Sequence, residues 1–353
     1  MSEFIRRLVP TLGRFRLLVQ LLTLFLSVYG SLIVGSYAAE KISTALPALS
    51  CAYDKLNGGY CALVPFQHQM DHRVGAALAR AQQVTAQVLI PLFITFVTFL
   101  AFFFVLGKAF CAWVCPLGTV QEWLYRLGRR LGFGQTTVPA GRLRWLRPVK
   151  WLILLGLVFL LPLLAGLGYA PHSAGNPYCD ICPSRIVTTL LSADTEELAL
   201  RTGADGFSLG IGIVGNLLAG FIVAAALAMR QPFCRICPML ALNAVARHAS
   251  LLRLSKTAHA KCDKCGICTR ACPMDIPEIH HRHGRHAFNE DCTLCGRCAE
   301  FCPDDQVISL KFGPFALFSS KRDYYKQRVR SETPEGQPKP IRIVRRPDRN
   351  HVA

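Results

Sequence analysis

Four long stretches of the chain are almost continuously apolar, and the rest of the sequence is arranged around them. They cover about 15–39, 84–106, 149–169 and 207–229. Crossing about 30 Å of hydrocarbon takes roughly 20 helical residues. Backbone groups in lipid must pair within their own segment, so all four are expected to be transmembrane helices. A cleavable signal peptide is the other reading of the first. Its apolar run exceeds the usual ~7–15-residue signal core, and no clear small-x-small exit follows, so it reads as a retained anchor. Two amphipathic stretches, 117–131 and 239–252, follow the second and fourth spans and suit a membrane surface.

Charge adds an orientation. The chain carries 40 Lys and Arg against 22 Asp and Glu, a net +18. Of those basic residues, 34 fall at the N-terminus, at Lys108, in the loop from Arg126 to Lys150, or from Arg230 onward. The other two loops hold only Lys41, Lys55, Arg73, Arg80, Arg185 and Arg201. Basic residues stay on the cytoplasmic side. Both termini of a multi-pass membrane protein are therefore expected on the cytoplasmic side. The charge is a topology signal and an attraction to anionic lipid, not a nucleic-acid footprint.

Sixteen cysteines change the picture again. In a long, membrane-like chain, metal ligation is the better reading than a disulfide framework. Cys262-x2-Cys265-x2-Cys268-x3-Cys272-Pro273 is repeated as Cys292-x2-Cys295-x2-Cys298-x3-Cys302-Pro303. This is the bacterial two-cluster ferredoxin spacing, in which the fourth Cys of each run ligates the other cluster. Cys262, Cys265, Cys268 and Cys302 are thus assigned to one [4Fe–4S] cluster. Cys292, Cys295, Cys298 and Cys272 are assigned to the second. Gly266 and Gly296 suit the tight turn inside each loop. The histidine tract at 280–286 reads as a solvated linker, with a metal-binding tract as the alternative.

The other eight cysteines follow the spans. Cys51 with Cys61, and Cys179 with Cys182, fall on the outer side. Cys111 with Cys115, and Cys234 with Cys237, fall on the inner side. Pro116, Pro183 and Pro238 follow three of these pairs, and proline suits a first helical turn. The pattern reads as two pseudo-repeated helical hairpins. The inner four cysteines are expected to hold a third [4Fe–4S] cluster, with two incomplete clusters or a zinc site as alternatives. The outer four are either a further metal site or disulfides. A full bilayer core of ~30 Å would separate the outer site from the inner one, too far for a single electron hop.

The expected fold is therefore a mainly α membrane protein with a small α+β two-cluster ferredoxin domain. Its domains are a four-helix membrane part at 1–255, a ferredoxin part at 256–312 and a basic, largely disordered tail at 313–353. The four spans, Cys111-x3-Cys115-Pro116, the related Cys234-x2-Cys237-Pro238 and the cytoplasmic ferredoxin resemble the NapH, NosR and CcoG membrane polyferredoxins, with MauN-like subunits as further relatives. The second inner motif is one residue shorter than the family's usual spacing. The resemblance implies electron transfer at the membrane, between quinol or quinone and a redox partner, in a complex with other subunits of a respiratory or reductase system. A maturation factor that reduces a metal or thiol of a client enzyme is the alternative. Quinone-site candidates are Gln121, Glu122 and Trp123 inside, and His68, His72 and His172 outside. No catalytic acid–base pair or nucleophile stands out, and no Gly-rich loop supports a bound nucleotide.

Overall fold

The computed structural model describes residues 12–34, 53–54, 58–59, 63–80, 86–193, 206–245, 247, 249–257, 262 and 265–326. Cys51 and Cys61 lie outside the described residues, as does 327–353. The chain divides into two compact units. One holds 16–252 together with Glu290–Cys295; the other holds the chain up to Phe15, Arg253–Asn289 and the residues from Gly296 onward.

The larger unit contains four helices long and apolar enough to cross a membrane. The first is α1, Leu12–Val34. After the two-residue strands β1 (Tyr53–Asp54) and β2 (Gly58–Gly59) comes α2, Leu63–Gln69. It continues through π-helical turns at Met70–Gly75 into Ala76–Ala79. The second long helix is α3, Ala86–Leu106, followed by α4, Ala109–Trp113, and α5, Pro116–Arg130. The third long helix, α6, starts at Ala140–Ile153 and runs through π-helical Leu154–Leu160 into Leu161–Gly166. Next are α7, Pro177–Ile181, and α8, Pro183–Leu191. The fourth long helix is α9, Gly206–Ala228, and α10, Pro238–Val245, closes the unit.

The third span thus begins well before residue 149. Leu, Arg and Lys are all good helix formers, so the basic stretch ahead of the apolar run continues the helix. One of its charges, Lys150, is fully buried.

Between the first two spans, the described residues 63–80 are not a surface loop. Phe66 of α2 packs on Phe96 and Phe99 of α3 and on Phe159 of α6, with ring centroids 5.8–6.4 Å apart. Gln69 donates to Thr95 Oγ1 at 2.9 Å. A Cβ on Gly75 would stand 2.8 Å from Gly166 Cα, so the two backbones touch where neither residue has a side chain. Small residues permit this approach between helices in lipid. Likewise Gly215, near the middle of α9, lies against the Asp180 carbonyl of α7. Both α2 and α7 therefore reach the middle of the long helices.

The two stretches expected on a membrane surface behave differently. Helix α5 forms as expected, with Pro116 at its first turn. Helix α10 is only eight residues long, and Pro238 through Ala244 are all buried. Leu240, Ala241, Leu242 and Ala244 present apolar groups on every side, and such a helix is buried rather than laid on a surface. Gly128 of α5 meets the end of α9, where a Cβ would fall 2.0 Å from Leu227 O. Gly128→Leu is expected to cost about 1–3 kcal/mol through overpacking. Thermal unfolding in detergent would show it as a lowered midpoint.

The smaller unit has a three-stranded sheet in the order β3 (Leu252–Lys256), β4 (Ile308–Phe312) and β5 (Phe315–Ser319). Strand β5 pairs antiparallel with β4, with Leu310 opposite Phe318. The tail expected from residue 313 onward therefore starts too early. The Gly313-Pro314 turn folds the apolar run at 315–319 back onto β4. Three short helices carry the cysteine loops: α11 (Ile267–Ala271), α12 (Glu278–His281) and α13 (Arg297–Glu300). Ile267, Ala271, Phe301 and Tyr325 form a small core between them. Gly266 and Gly296 precede α11 and α13 with φ of 73° and 75°. That left-handed conformation costs glycine nothing and lets each loop turn sharply around its cysteines.

Candidate functional site

Four of the predicted ligands line one cavity within the smaller unit. Cys262, Cys265, Cys268 and Cys302 face a space of about 290 Å³, mouth included, together with Lys256 and His280. Among the described residues, no three His, Cys, Asp or Glu side chains could hold a single metal ion. The thiols surround a space instead of meeting at a point, which suits a polynuclear cluster better than one zinc. Burial pushes the Cys302 thiol up to about 12, and it also raises Cys265 and Cys268. A buried thiolate cage is costly without positive charge inside it, and iron supplies that charge.

Lys256 adds a cation at the wall. Its buried ammonium donates to the carbonyls of Ile279 at 2.7 Å and His280 at 3.0 Å, and it favours the thiolate form of Cys268. Nothing in the sequence singles this residue out. Lys256 sits in an ordinary strand, and only the folded sheet brings it to the cysteines.

Two ligands of the second ferredoxin run, Cys292 and Cys295, belong to the larger unit. Their loop is held there by side chains of the membrane helices and their ends. Lys108 donates to Glu290 O, Trp113 Nε1 to Leu294 O at 3.1 Å, and Arg16 to Cys295 O at 2.8 Å. Lys150 pairs with Asp291 and Glu290, and Arg147 with Asp291. Burial pushes Cys292 up to about 12 and Lys108 down to about 8. Cys292 and Cys111 both act back on Lys108 by charge, so this lysine lies near a cysteine of each motif. Cys272 and Cys298 are buried in the smaller unit.

The inner cysteines are cross-braced. Cys115 precedes α5, and Cys237 precedes α10. From α5, Gln121 Nε2 reaches Cys234 Sγ at 3.9 Å while its Oε1 accepts from Phe233 N at 3.0 Å. From α10, Asn243 Nδ2 donates to Cys111 Sγ at 3.4 Å. Each amide stands six residues after the second cysteine of one pair and bonds the first cysteine of the other. Burial, then the neighbouring Cys111, drives the Cys234 thiol up to about 12. Gly118 lets Cys115 Sγ and the Cys111 carbonyl close over the start of α5. N–H donors to ligand sulfur stabilise the reduced, more negative form of a cluster. Gln121→Leu is accordingly expected to keep the iron and lower the midpoint potential of one centre, read by an EPR redox titration.

The quinone candidates divide. Gln121 is committed to Cys234, and Glu122 to Arg16 at 3.5 Å and Arg126 at 3.1 Å, so neither is open to a ligand. The outer histidines, by contrast, come together. His68 lies 4.5 Å from His72, and His72 lies 5.5 Å from His172, between ring centroids. Burial, then His72, lowers the His68 pKa. Of the outer cysteines, Cys179 lies within α7 and Cys182 joins α7 to α8, and Gln67 Nε2 meets Cys179 Sγ at 3.1 Å.

Four membrane-length helices in one unit and a cavity lined by four cysteines in the other define an integral membrane iron–sulfur protein. Comparison with known proteins agrees. A "4Fe-4S binding domain" family model matches 88–134 and again 211–256, and a "4Fe-4S dicluster domain" model matches 261–308. Escherichia coli (strain K12) YccM is 28% identical over 70% of the chain and 62% of its own length. NapH of Haemophilus influenzae is 30% identical over 58% of the chain and 62% of its own length. NosR of Pseudomonas aeruginosa is 29% identical over 55% of the chain but 24% of its own length. The chain thus matches about three fifths of the length of the first two of these curated relatives. No solved structure matches it. The chain thus carries 4Fe–4S binding domains and is similar to YccM, NapH and NosR over more than half of its length.

Proposed function

We propose that this chain is the membrane subunit that carries electrons between the quinone pool and a redox partner subunit. Cys262, Cys265, Cys268 and Cys302 hold one [4Fe–4S] cluster. Cys292, Cys295, Cys298 and Cys272 hold a second. Cys111, Cys115, Cys234 and Cys237 hold a third. The clusters supply one-electron carriage, and the protein supplies the ligands, the N–H donors and the buried cations around them. The single observation that carries this reading is the binding of the Cys292 loop to the membrane helices. Lys108 and Trp113 flank Cys111 in sequence, and both bond that loop. Ligands of a ferredoxin cluster and of the inner cluster are thus held by one group of side chains.

Two further features fit. The reciprocal bracing by Gln121 and Asn243 supports a duplicated hairpin, with each half contributing one cysteine pair and one amide. The clustered His68, His72 and His172 offer proton acceptors, which a quinol needs because it loses two protons with its two electrons. The distribution of basic residues supports both termini and the ferredoxin unit on the cytoplasmic side of a bacterial inner membrane, with the histidines toward the outer side. No observation favours the maturation role.

The test uses the anaerobically purified chain in lipid nanodiscs. A menaquinol analogue is expected to bleach the iron–sulfur absorbance. His72→Ala combined with His172→Ala should slow that bleaching by tenfold or more at unchanged iron content. Full iron with no response to quinol would end the quinone reading.

A further inference from the structure

We infer that the buried ammonium of Lys256 sets the reduction potential of the cluster held by Cys262, Cys265, Cys268 and Cys302, biasing that cluster toward its reduced form. The inference rests on the cluster assignment proposed above and not on the quinone reading. Lys256 lines the cavity with all four cysteines and is 2% exposed. Its Nζ donates to the carbonyls of Ile279 and His280. The buried Lys150 stands against two carboxylates, Asp291 and Glu290. Lys256 has no such partner among the described residues, and Asp304 lines the same cavity without pairing with it. A cation taken out of water without a counter-charge is costly. The carbonyl dipoles ease that cost but bring no negative charge.

The cluster is the counter-charge that fits. Its thiolates outweigh the positive charge of the iron–sulfide core, so the whole is negative, and reduction adds one more negative charge. Net charge and the hydrogen bonds to its sulfurs set the potential of such a cluster. A cation fixed beside it therefore stabilises the reduced form more than the oxidised one. The charge of Lys256 already favours the thiolate of Cys268, whereas that of Asp304 works against the thiolates of Cys265 and Cys302. Lys256 is thus the group on this wall whose charge acts in favour of the added electron. Its burial keeps solvent from screening the effect.

The fold holds this cation in place. Lys256 is the last residue of β3, and its backbone pairs with Gly284 in both directions: Lys256 N donates to Gly284 O at 3.3 Å, and Gly284 N donates to Lys256 O at 2.8 Å. Gly284 has φ of 65°, which suits glycine. The two carbonyls that receive the ammonium belong to α12, and His283 Nδ1 lies 3.0 Å from Thr257 O. The histidine tract at 280–286 is therefore a strap laid along the end of the strand. It exposes His281 and His286 to solvent, as a solvated stretch does, while its backbone seats Lys256 on the cavity wall. A charge seated by fixed backbone groups needs little rearrangement when the electron arrives.

The experiment is an EPR-monitored redox titration of the full-length chain, purified without oxygen, with iron counted in every sample. Cys268→Ser identifies the signal of this cluster. Lys256→Met is expected to keep the iron and shift the cluster's reduction equilibrium tenfold or more, a fall of about 59 mV or more for one electron. The other centres should shift less. Lys256→Gln keeps an N–H donor without the charge and should show the same fall. Lys256→Arg keeps the charge and should restore most of the potential. An unchanged potential in Lys256→Met at full iron would overturn the inference. So would a wild-type potential in Lys256→Gln, which would make hydrogen bonding and not charge the cause. Loss of this cluster's iron from both neutral variants would make Lys256 a support of the fold and overturn it as well. A wild type without ferredoxin clusters would instead overturn the cluster assignment itself, and this inference with it.

Discussion

Changing both Cys111 and Cys234 to serine is expected to remove about four irons per chain and cut the ferredoxin unit off from membrane-side electrons. These two sulfurs are the ones the structure braces crosswise, through Asn243 and Gln121. Cys111 is close enough to oppose ionisation of Cys234, and both are buried. A [4Fe–4S] cluster is held by four thiolates, and only Cys115 and Cys237 would remain. Loss should therefore be complete rather than partial. The single variants are expected to lie between, because serine can donate an oxygen ligand. Iron and sulfide counting reads the first effect. Reduction of the clusters by a quinol analogue, compared with direct reduction by dithionite, reads the second. Dithionite should still reduce the ferredoxin clusters in the double variant, while quinol should not. Wild-type iron in the double variant would rule the inner cluster out.

Much of this was legible in the sequence, for identifiable reasons. A run of 20 or so apolar residues rarely forms anything but a membrane helix, so α1, α3, α6 and α9 could be placed from hydropathy alone. The cysteine runs were legible because cluster ligation fixes spacing as rigidly as it fixes residue type. What stayed hidden was short or tertiary. Helix α2 and its π-helical continuation carry Gln67, His68, Gln69, Asp71, His72 and Arg73, so they lack the apolar length that marks a span. The apolar anchors there are chiefly Leu63 and Phe66, and the close fit to α6 depends on Gly75 and Gly166 facing each other. The amides were readable in principle: Gln67, Gln121 and Asn243 all fall six residues after a cysteine. A lone Gln or Asn on a helix has many ordinary roles, however, and only the contact with the opposite cysteine gives this spacing meaning. Strand β5 was lost for a similar reason. Five residues without strict alternation are ambiguous until a partner strand exists.

Asp291→Ala is expected to produce the largest loss of stability of any single change outside the cysteines, about 3 kcal/mol. Lys150 points its ammonium from α6 into a site with no solvent exposure. Asp291 is its nearest partner, and Glu290 is a second one at 3.3 Å. Asp291 also accepts from Arg147 Nε at 2.7 Å. Removing one partner of a buried pair typically costs ~3–5 kcal/mol, because the other charge stays behind without compensation. Glu290 remains as a partial substitute, which places the expected loss at the lower end. A rescue is expected for the same physical reason. Lys150→Met added to Asp291→Ala takes away the stranded charge and fills its space with an apolar chain, so most of the loss should return. Thermal unfolding of the three proteins under anaerobic conditions measures both steps, and a double variant no better than Asp291→Ala would show that the stranded charge is not the cause. The loop at stake is the one that carries Cys292 and Cys295. The Asp291→Ala protein should therefore also show a disturbed EPR signal for the second ferredoxin cluster, while the signal of the cluster held by Cys262, Cys265, Cys268 and Cys302 stays as in the wild type.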